Sequence, residues 1–184
     1  MGAEDSNPRI IPAVALIHQE GVVAVVALVG LSLSADGISG GLAVRGPLPT
    51  ALLTGTLAGI GSFLIVWLIR GLRPLRELEK WQRDMVRGWT VTDAAAVAVF
   101  SGLAEEALVR GLLQPLIGLL PAAAVFAILH LVPDRRLWVW PILALVLGLA
   151  LGGVYELGGY PAAAVAHVVI NALSLIRLRR LSKD

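Results

Sequence analysis

Long apolar runs constrain this chain more than any other feature of its sequence. Thr50–Ile69, Leu137–Leu157 and Ala162–Ile176 hold between them a single charged residue, Glu156. A helix needs about 20 predominantly apolar residues to cross a bilayer, and its backbone must satisfy its own hydrogen bonds there. The chain is 57% hydrophobic and 15% charged, whereas soluble domains carry about a quarter charged residues. The sequence therefore predicts an all-α, polytopic membrane helical bundle.

Further apolar segments bring the predicted number of membrane segments to about six. One lies within residues 9–33, where the polar run His18 to Glu20 interrupts it. It is either a short span with an interfacial lead-in or one long helix with a polar notch. Another starts at a cap formed by Thr92 or Asp93 and continues to about residue 118, with a bend near Gly111 or Pro115. The next, 122–132, follows Pro121 and contains His130.

The stretch 71–90 differs from the apolar runs in being basic and amphipathic. Its cations outnumber its acids, and apolar side chains recur at helical spacing: Leu75, Leu78, Trp81 or Gln82, Met85 and Trp89. This pattern predicts a cytoplasmic helix on the membrane surface, while a solvated helical linker is the alternative. We expect residues 1–8 to be disordered and 9–184 to form one integral-membrane domain, with a catalytic core at 91–176.

The positions of the basic residues predict the orientation. The surface helix, the Arg135-Arg136 loop and the C-terminal tail are basic, and the intervening loops carry little charge. Because cytoplasmic loops are enriched in Lys and Arg, both termini are expected in the cytoplasm of a multi-pass plasma-membrane protein. The sequence pI of about 9.5 comes from these same basic loops, which determine topology, so no nucleic-acid partner is predicted. The chain has no cysteine, which excludes disulfides, thiolate metal sites and a cysteine nucleophile.

Two glutamates and an arginine interrupt the apolar stretch around Ser101–Gln114. Burying an ionised side chain is costly unless it is paired, so these groups require an explanation. Glu106 and Arg110 are four residues apart, on one helical face, and can form an ion pair. Glu105 points about 100° away from its neighbour and has no such local partner. One glutamate can therefore be structural while Glu105 is available for chemistry.

Three more polar side chains lie in the later segments: His130, His167 and Asn171. Although a lone histidine is more often a core residue than a catalyst, two histidines with an unpaired glutamate and an asparagine favour a functional site. A carboxylate and imidazoles can deprotonate water, and His and Asn donors can stabilise the resulting oxyanion. The same set could hold a metal, although no HExxH pair is present and the spacing forces no three-ligand arrangement.

These residues form three motifs that resemble those of the CPBP family, the CaaX proteases and bacteriocin-processing enzymes. Glu105–Arg110 matches EExxxR, Phe126–His130 matches FxxxH and His167–Asn171 matches HxxxN. The resemblance covers about 91–176 and implies an intramembrane endopeptidase of the type that removes the last three residues of prenylated CaaX proteins. It implies that Glu105 and His130 activate water, that His167 and Asn171 stabilise the oxyanion, and that Glu106 and Arg110 support them.

The resemblance implies membrane lipids and a peptide or membrane-anchored protein substrate as partners, and it leaves the cofactor open. A mechanism without metal fits the residues, and a zinc ion would take Glu105, His130 and His167 as ligands. Processing of secreted peptides or of C-terminal sorting signals is an alternative to CaaX cleavage. In two respects the chain departs from the family. Val109 stands where many members carry an aromatic residue, and only two candidate spans precede the core.

Other classes of membrane protein fit the sequence less well. A rhomboid-type serine protease needs a GxSxG-like context that Ser101 lacks, and an aspartyl intramembrane protease needs two intramembrane aspartates. A small transporter usually shows repeats or paired broken helices. A non-enzymatic immunity or scaffold protein on the same fold has little reason to keep four polar site residues buried.

Overall fold

The computed structural model describes residues 10–182, so the predicted disorder of 1–8 lies outside the described residues. Within this range the chain is helical, with one isolated bridge between Val44 and Gly159 as its only β-pairing. The helices are α1 Ala13–Leu33, α2 Gly37–Gly41, α3 Leu48–Ile69, α4 Arg73–Met85, α5 Val91–Glu106, a π-helical segment Ala107–Leu113, α6 Gln114–Ile117, α7 Leu119–Leu129, a short 3-10 turn Arg135–Leu137 and α8 Val139–Leu181.

Three of these helical stretches are long and apolar enough to cross a membrane: α1, α3 and Arg135–Leu181. The chain is therefore an integral membrane protein, and its helices confirm the predicted all-α membrane class, whereas the predicted number of about six segments is not confirmed by these three spans. α1 is a single helix from Ala13, so the polar residues near position 19 are a notch within one helix. Its buried residues, Ala13, Glu20, Ala27 and Leu31, form one stripe that faces the bundle.

α8 consists of two antiparallel halves, 139–158 and 160–181, separated at Gly159. Gly148 in the first half lies beside Phe126, and the ring of His167 in the second half is 5.7 Å from the same phenylalanine. In one straight helix, Gly148 and His167 would be about 28 Å apart, so the chain must reverse between them. The predicted turn at 158–161 is thus present, but the second half resumes at residue 160, with Pro161 in its first turn.

α3 packs closely against the second half of α8 because two glycines line its contact face. A Cβ atom added at Gly55 would lie 2.3 Å from the Ala162 carbonyl oxygen, and one at Gly59 would lie 2.7 Å from that of Ala166. This spacing of small residues allows helix backbones to approach in membranes. The close packing fixes the second half of α8, which carries His167 and Asn171.

The bounds of α5 and α7 correct two sequence-based predictions. α5 is capped by Thr90, whose hydroxyl accepts from the Asp93 N–H while Asp93 accepts from the Thr90 N–H. The cap is thus Thr90 and not Thr92 or Asp93, because only Thr90 can complete this reciprocal capping box. Near Gly111, where the sequence predicts a bend, the helix contains the π-helical segment Ala107–Leu113.

α7 ends at Leu129, so His130 lies directly after the helix and not inside it. Pro133 disfavours helical conformation in the residue before it, which explains the early end. In the loop that follows, hydrogen bonds from Arg136 hold the pKa of Asp134 below its usual value.

α4 is amphipathic as predicted, although it is shorter than the stretch 71–90. Leu75, Leu78 and Met85 are buried against the bundle. Glu79 accepts two hydrogen bonds from Arg177 of α8, at 3.0 and 3.1 Å. α4 is thereby fixed to the end of the bundle at which α8 ends.

Candidate active site

Glu106 is the centre of a fully buried polar network. One of its carboxylate oxygens lies 3.2 Å from the Arg110 Nε, and the other lies 2.9 Å from the His167 Nδ1. The predicted pairing of Glu106 with Arg110 is therefore present. The bond to His167, from a helix 61 residues away in sequence, was not predicted. Glu106 thus links the EExxxR motif directly to the HxxxN motif.

Arg110 lies in the π-helical segment and makes two further contacts. Its Nη2 donates to the Gly148 carbonyl at 3.0 Å, and its guanidinium lies 5.0 Å from the centre of the Phe126 ring. A guanidinium over an aromatic ring is stabilised by the ring's quadrupole. π-helical segments are often found at functional sites, because they change the direction of a side chain without breaking the helix.

Glu105 faces His130. Its Oε2 is 4.0 Å from the His130 Nε2, and the two side chains are 15% and 20% exposed. The His130 Nδ1 lies 2.8 Å from the Phe126 carbonyl oxygen. Since a carbonyl only accepts, Nδ1 carries a proton, and in the neutral ring Nε2 is an acceptor directed towards Glu105. The two facing groups are too far apart for a direct hydrogen bond, and both are acceptors.

Phe126 packs beside both histidines of the site. Its ring centre is 4.6 Å from that of His130 and 5.7 Å from that of His167. The phenylalanine of the FxxxH motif thus contacts both His130 and His167. It also supplies apolar surroundings in which charged groups interact strongly.

Asn171 is held by Ser101 on α5. The Asn171 Nδ2 donates to the Ser101 hydroxyl at 2.9 Å, and that hydroxyl donates to the Ala98 carbonyl at 3.4 Å. On sequence alone, Ser101 is a candidate only for a nucleophile, and it lacks the required context. Ser101 lies four residues before Glu105, so the two side chains are on the same face of one helix. This spacing could have indicated that Ser101 is close to the site.

Glu20 is a second residue that the sequence analysis did not assign to the site. The residue is only 6% exposed, and its Oε2 has no hydrogen-bond partner among the described residues. It lies within electrostatic range of Glu105 and His167. The sequence could have indicated this residue, because Glu20 is the only acidic residue within α1 and ionisable residues inside membrane helices are usually functional.

The residues named for a zinc ion do not form a ligand set. Between residues 10 and 182, no three His, Cys, Asp or Glu side chains are grouped closely enough to hold a metal. The Nδ1 of His167 is directed to Glu106, and the Glu105 Oε2 and His130 Nε2 are 4.0 Å apart. A catalytic zinc requires three protein ligands at about 2.0–2.2 Å.

Fold and site together define an all-helical membrane protein with paired carboxylates and histidines buried between its helices. A protein-family model described as Type II CAAX prenyl endopeptidase Rce1-like matches residues 87–173, which include all three motifs. The matched segment is just under half of the chain, and it is similar to the CaaX-type intramembrane proteases of the CPBP family, which the three motifs also resemble. Neither a curated protein nor a solved structure matches the chain significantly.

Proposed function

We propose that this protein is an intramembrane endopeptidase that hydrolyses a peptide bond near the C-terminus or membrane end of its substrate. The observation that carries the proposal is the 4.0 Å separation of the Glu105 Oε2 and the His130 Nε2. Two acceptors at this distance can both be satisfied by one water molecule that donates a hydrogen to each. A nucleophilic water is what peptide hydrolysis requires.

In the proposed reaction, the Glu105 carboxylate removes a proton from this water while His130 orients it. The water oxygen forms a bond to the carbonyl carbon, and the carbonyl oxygen becomes an oxyanion. When the tetrahedral intermediate collapses, the C–N bond breaks and Glu105 returns its proton to the leaving amine. No metal takes part in these steps, which use only side chains of this chain.

His167 and Asn171 are proposed to stabilise the oxyanion. Asn171 uses one amide hydrogen to bind Ser101 and retains a second for the substrate. His167 is anchored to Glu106 through Nδ1, so its Nε2 can donate when the ring carries both protons. Removing one oxyanion donor typically lowers kcat by about 10²–10³.

We further propose six membrane segments with both termini and α4 in the cytoplasm of a plasma-membrane protein. These are α1, α3, the continuous helical stretch 91–117, α7 and the two halves of α8. α7 has 11 residues, or about 17 Å, so it enters the bilayer without crossing it alone. The basic loops and α4 then share one side, as the positive-inside rule requires.

The function can be tested with an internally quenched, farnesylated peptide ending in a CaaX sequence, and the same peptide without the farnesyl group. The purified protein in liposomes should cleave the prenylated peptide, and Glu105→Gln should lower the rate by at least about 10². Glu77→Gln changes an exposed carboxylate on α4 and is the matched control. Activity should be insensitive to chelators, since Glu105, His130 and His167 are not a ligand set.

Several results would contradict parts of the proposal. If both peptides were cleaved at the same rate, the enzyme would not recognise the prenyl group. That result would favour processing of secreted peptides or of C-terminal sorting signals. Near-normal turnover by Glu105→Gln would exclude the mechanism. Activity lost to chelation and restored by zinc would replace it by a metal mechanism.

A further inference from the structure

A basic cleft with a volume of about 400 Å³ opens where α3 is followed by α4. The residues that line it are Arg70, Gly71, Arg76, Glu79, Lys80 and Arg83. The three cations of α4 are exposed and lie four and three residues apart, so they share one face of the helix. Among the described residues Glu79 is the only acid of the lining, and it is already bound to Arg177. The basic cleft therefore has an excess of positive charge and suits an anionic ligand.

An apolar cavity adjoins the basic cleft on the side of the membrane helices. It lies between the end of α3, the buried face of α4 and both halves of α8, and its apolar lining includes Phe63, Val66, Trp67, Leu75, Leu143 and Leu178. Arg70 and Glu79 line both spaces, so the cleft and the cavity meet at these two residues. The guanidinium of Arg70 lies 4.3 Å from the centre of the Trp67 ring and donates to the Trp67 carbonyl. These contacts hold a cation at the border between the two spaces.

The two spaces lie at one end of a membrane-spanning helix. Arg70 directly follows Ile69, the last residue of α3, and α3 is apolar and long enough to cross a bilayer. Ile65 and Leu68, in the last turns of the same helix, are 63% and 71% exposed and are suited to contact lipid. A ligand in the basic cleft is therefore level with the lipid headgroups, and the apolar cavity is level with the adjoining ends of the acyl chains.

We propose that the basic cleft and the apolar cavity form one binding site for an anionic phospholipid. Its phosphate contacts the cations of the cleft, and the first part of an acyl chain fills the cavity. Basic pockets between membrane helices bind anionic headgroups in this way. A soluble phosphate compound would leave the cavity empty, and a neutral lipid would not balance the four cations of the cleft. A bound lipid would connect α3, α4 and both halves of α8.

The proposed lipid site is separate from the candidate active site. The described residues that line the two spaces do not include Glu105, His130, His167 or Asn171. A peptide bond held there would not meet the proposed catalytic groups, so the ligand is a lipid and not the substrate. The proposal therefore does not rest on the proposed function.

The charge of the cleft is tested by native mass spectrometry of the purified protein in detergent, offered phosphatidylglycerol and phosphatidylcholine with identical chains. The wild type should retain one phosphatidylglycerol in preference to phosphatidylcholine. The combined variant Arg76→Gln, Lys80→Gln and Arg83→Gln should bind phosphatidylglycerol about 10²-fold more weakly, since each cation beside an anionic headgroup contributes roughly fivefold.

The matched control is the combined variant Arg73→Gln, Arg87→Gln and Arg135→Gln, which removes the same charge from residues outside the lining of the cleft. It should keep the wild-type preference, because charges that do not contact the ligand are screened by salt. Equal loss of binding in both variants, or equal retention of the two lipids by the wild type, would show unspecific attraction and would overturn the proposal.

The role of the cavity is tested with glycerophosphoglycerol, the headgroup without its chains. It should bind about 10²-fold more weakly than phosphatidylglycerol, because each methylene group buried in the cavity contributes about fourfold. Val66→Phe fills part of the cavity and should weaken lipid binding about tenfold for the same reason. Ile65→Phe makes a comparable change on the exposed face of α3 and is the matched control.

Two further results would contradict the lipid assignment. If the headgroup alone bound as tightly as the lipid, the cleft would be a site for a soluble phosphate compound. If the farnesylated peptide displaced the bound lipid, the two spaces would belong to the substrate site. Absence of peptide cleavage by the wild type would refute the proposed function and leave the lipid measurement unaffected.

Discussion

The two adjacent glutamates of the EExxxR motif have different environments although they are neighbours in sequence. Glu106 is fully buried and contacts both Arg110 and His167, while Glu105 faces His130 across a gap. A helix turns by about 100° per residue, so adjacent side chains necessarily meet different neighbours. One position is thereby used for structure and the other is free for the proposed chemistry.

At the scale of the residue, we predict that breaking the buried pair damages stability. Arg110→Ala or Glu106→Gln should lower the free energy of unfolding by about 3–5 kcal/mol, because each leaves an uncompensated buried polar group. The measurement is unfolding of the purified protein in mixed micelles with increasing denaturing detergent. Glu106→Gln should also reduce turnover, since it weakens the anchor of His167.

The Glu79–Arg177 pair provides the control for this prediction. Its side chains are 24% and 27% exposed, so Glu79→Gln should cost no more than about 1 kcal/mol. If the Arg110 and Glu79 variants lost the same free energy of unfolding, burial would not explain the contribution of the Glu106 network to stability.

At the scale of the element, the break in α8 depends on one glycine. Gly159 has a backbone φ of 74°, a conformation that residues with a Cβ atom rarely adopt. A Cβ atom there would also lie 2.4 Å from the Ala43 carbonyl oxygen. The adjoining backbone is fixed, because Arg45 donates to the Gly158 carbonyl and Tyr160 donates to that of Ala43.

We therefore predict that Gly159→Ala destabilises the protein and displaces the second half of α8. The backbone conformation, φ 74° with ψ −167°, alone costs about 1–3 kcal/mol for a residue with a Cβ, and the contact with Ala43 adds to it. Gly153→Ala, in the first half of α8, meets nothing within 4 Å and should be neutral or stabilising. Thermal unfolding of the two variants tests this, and a Gly159→Ala variant as stable as Gly153→Ala would contradict it.

At the scale of the whole molecule, the proposed orientation places the α2 region outside and the basic segments inside. Because the chain has no cysteine, single cysteines report position without background. Ser39→Cys should react with an impermeant thiol reagent added to intact cells, whereas Lys80→Cys and Arg135→Cys should react only after permeabilisation. Reaction at position 80 from outside would reverse the orientation.

Much of this molecule followed from the sequence alone. Hydrophobic run length determined an all-helical membrane fold, because lipid permits few backbone alternatives. Helical spacing determined the Glu106–Arg110 pair, since both residues lie on one turn. The order and spacing of the three motifs indicated a resemblance to the CPBP family, and the family-model match over residues 87–173 confirms this resemblance.

Contacts between distant segments were decided only by the tertiary structure. The Glu106–His167 and Ser101–Asn171 bonds join α5 to α8 across more than 60 residues, and no local spacing specifies such a register. The place of Glu20 beside the site depends on which face α1 turns towards the bundle. Helix packing sets that rotation through the shapes of the side chains on several helices at once, so it cannot be inferred from any one segment.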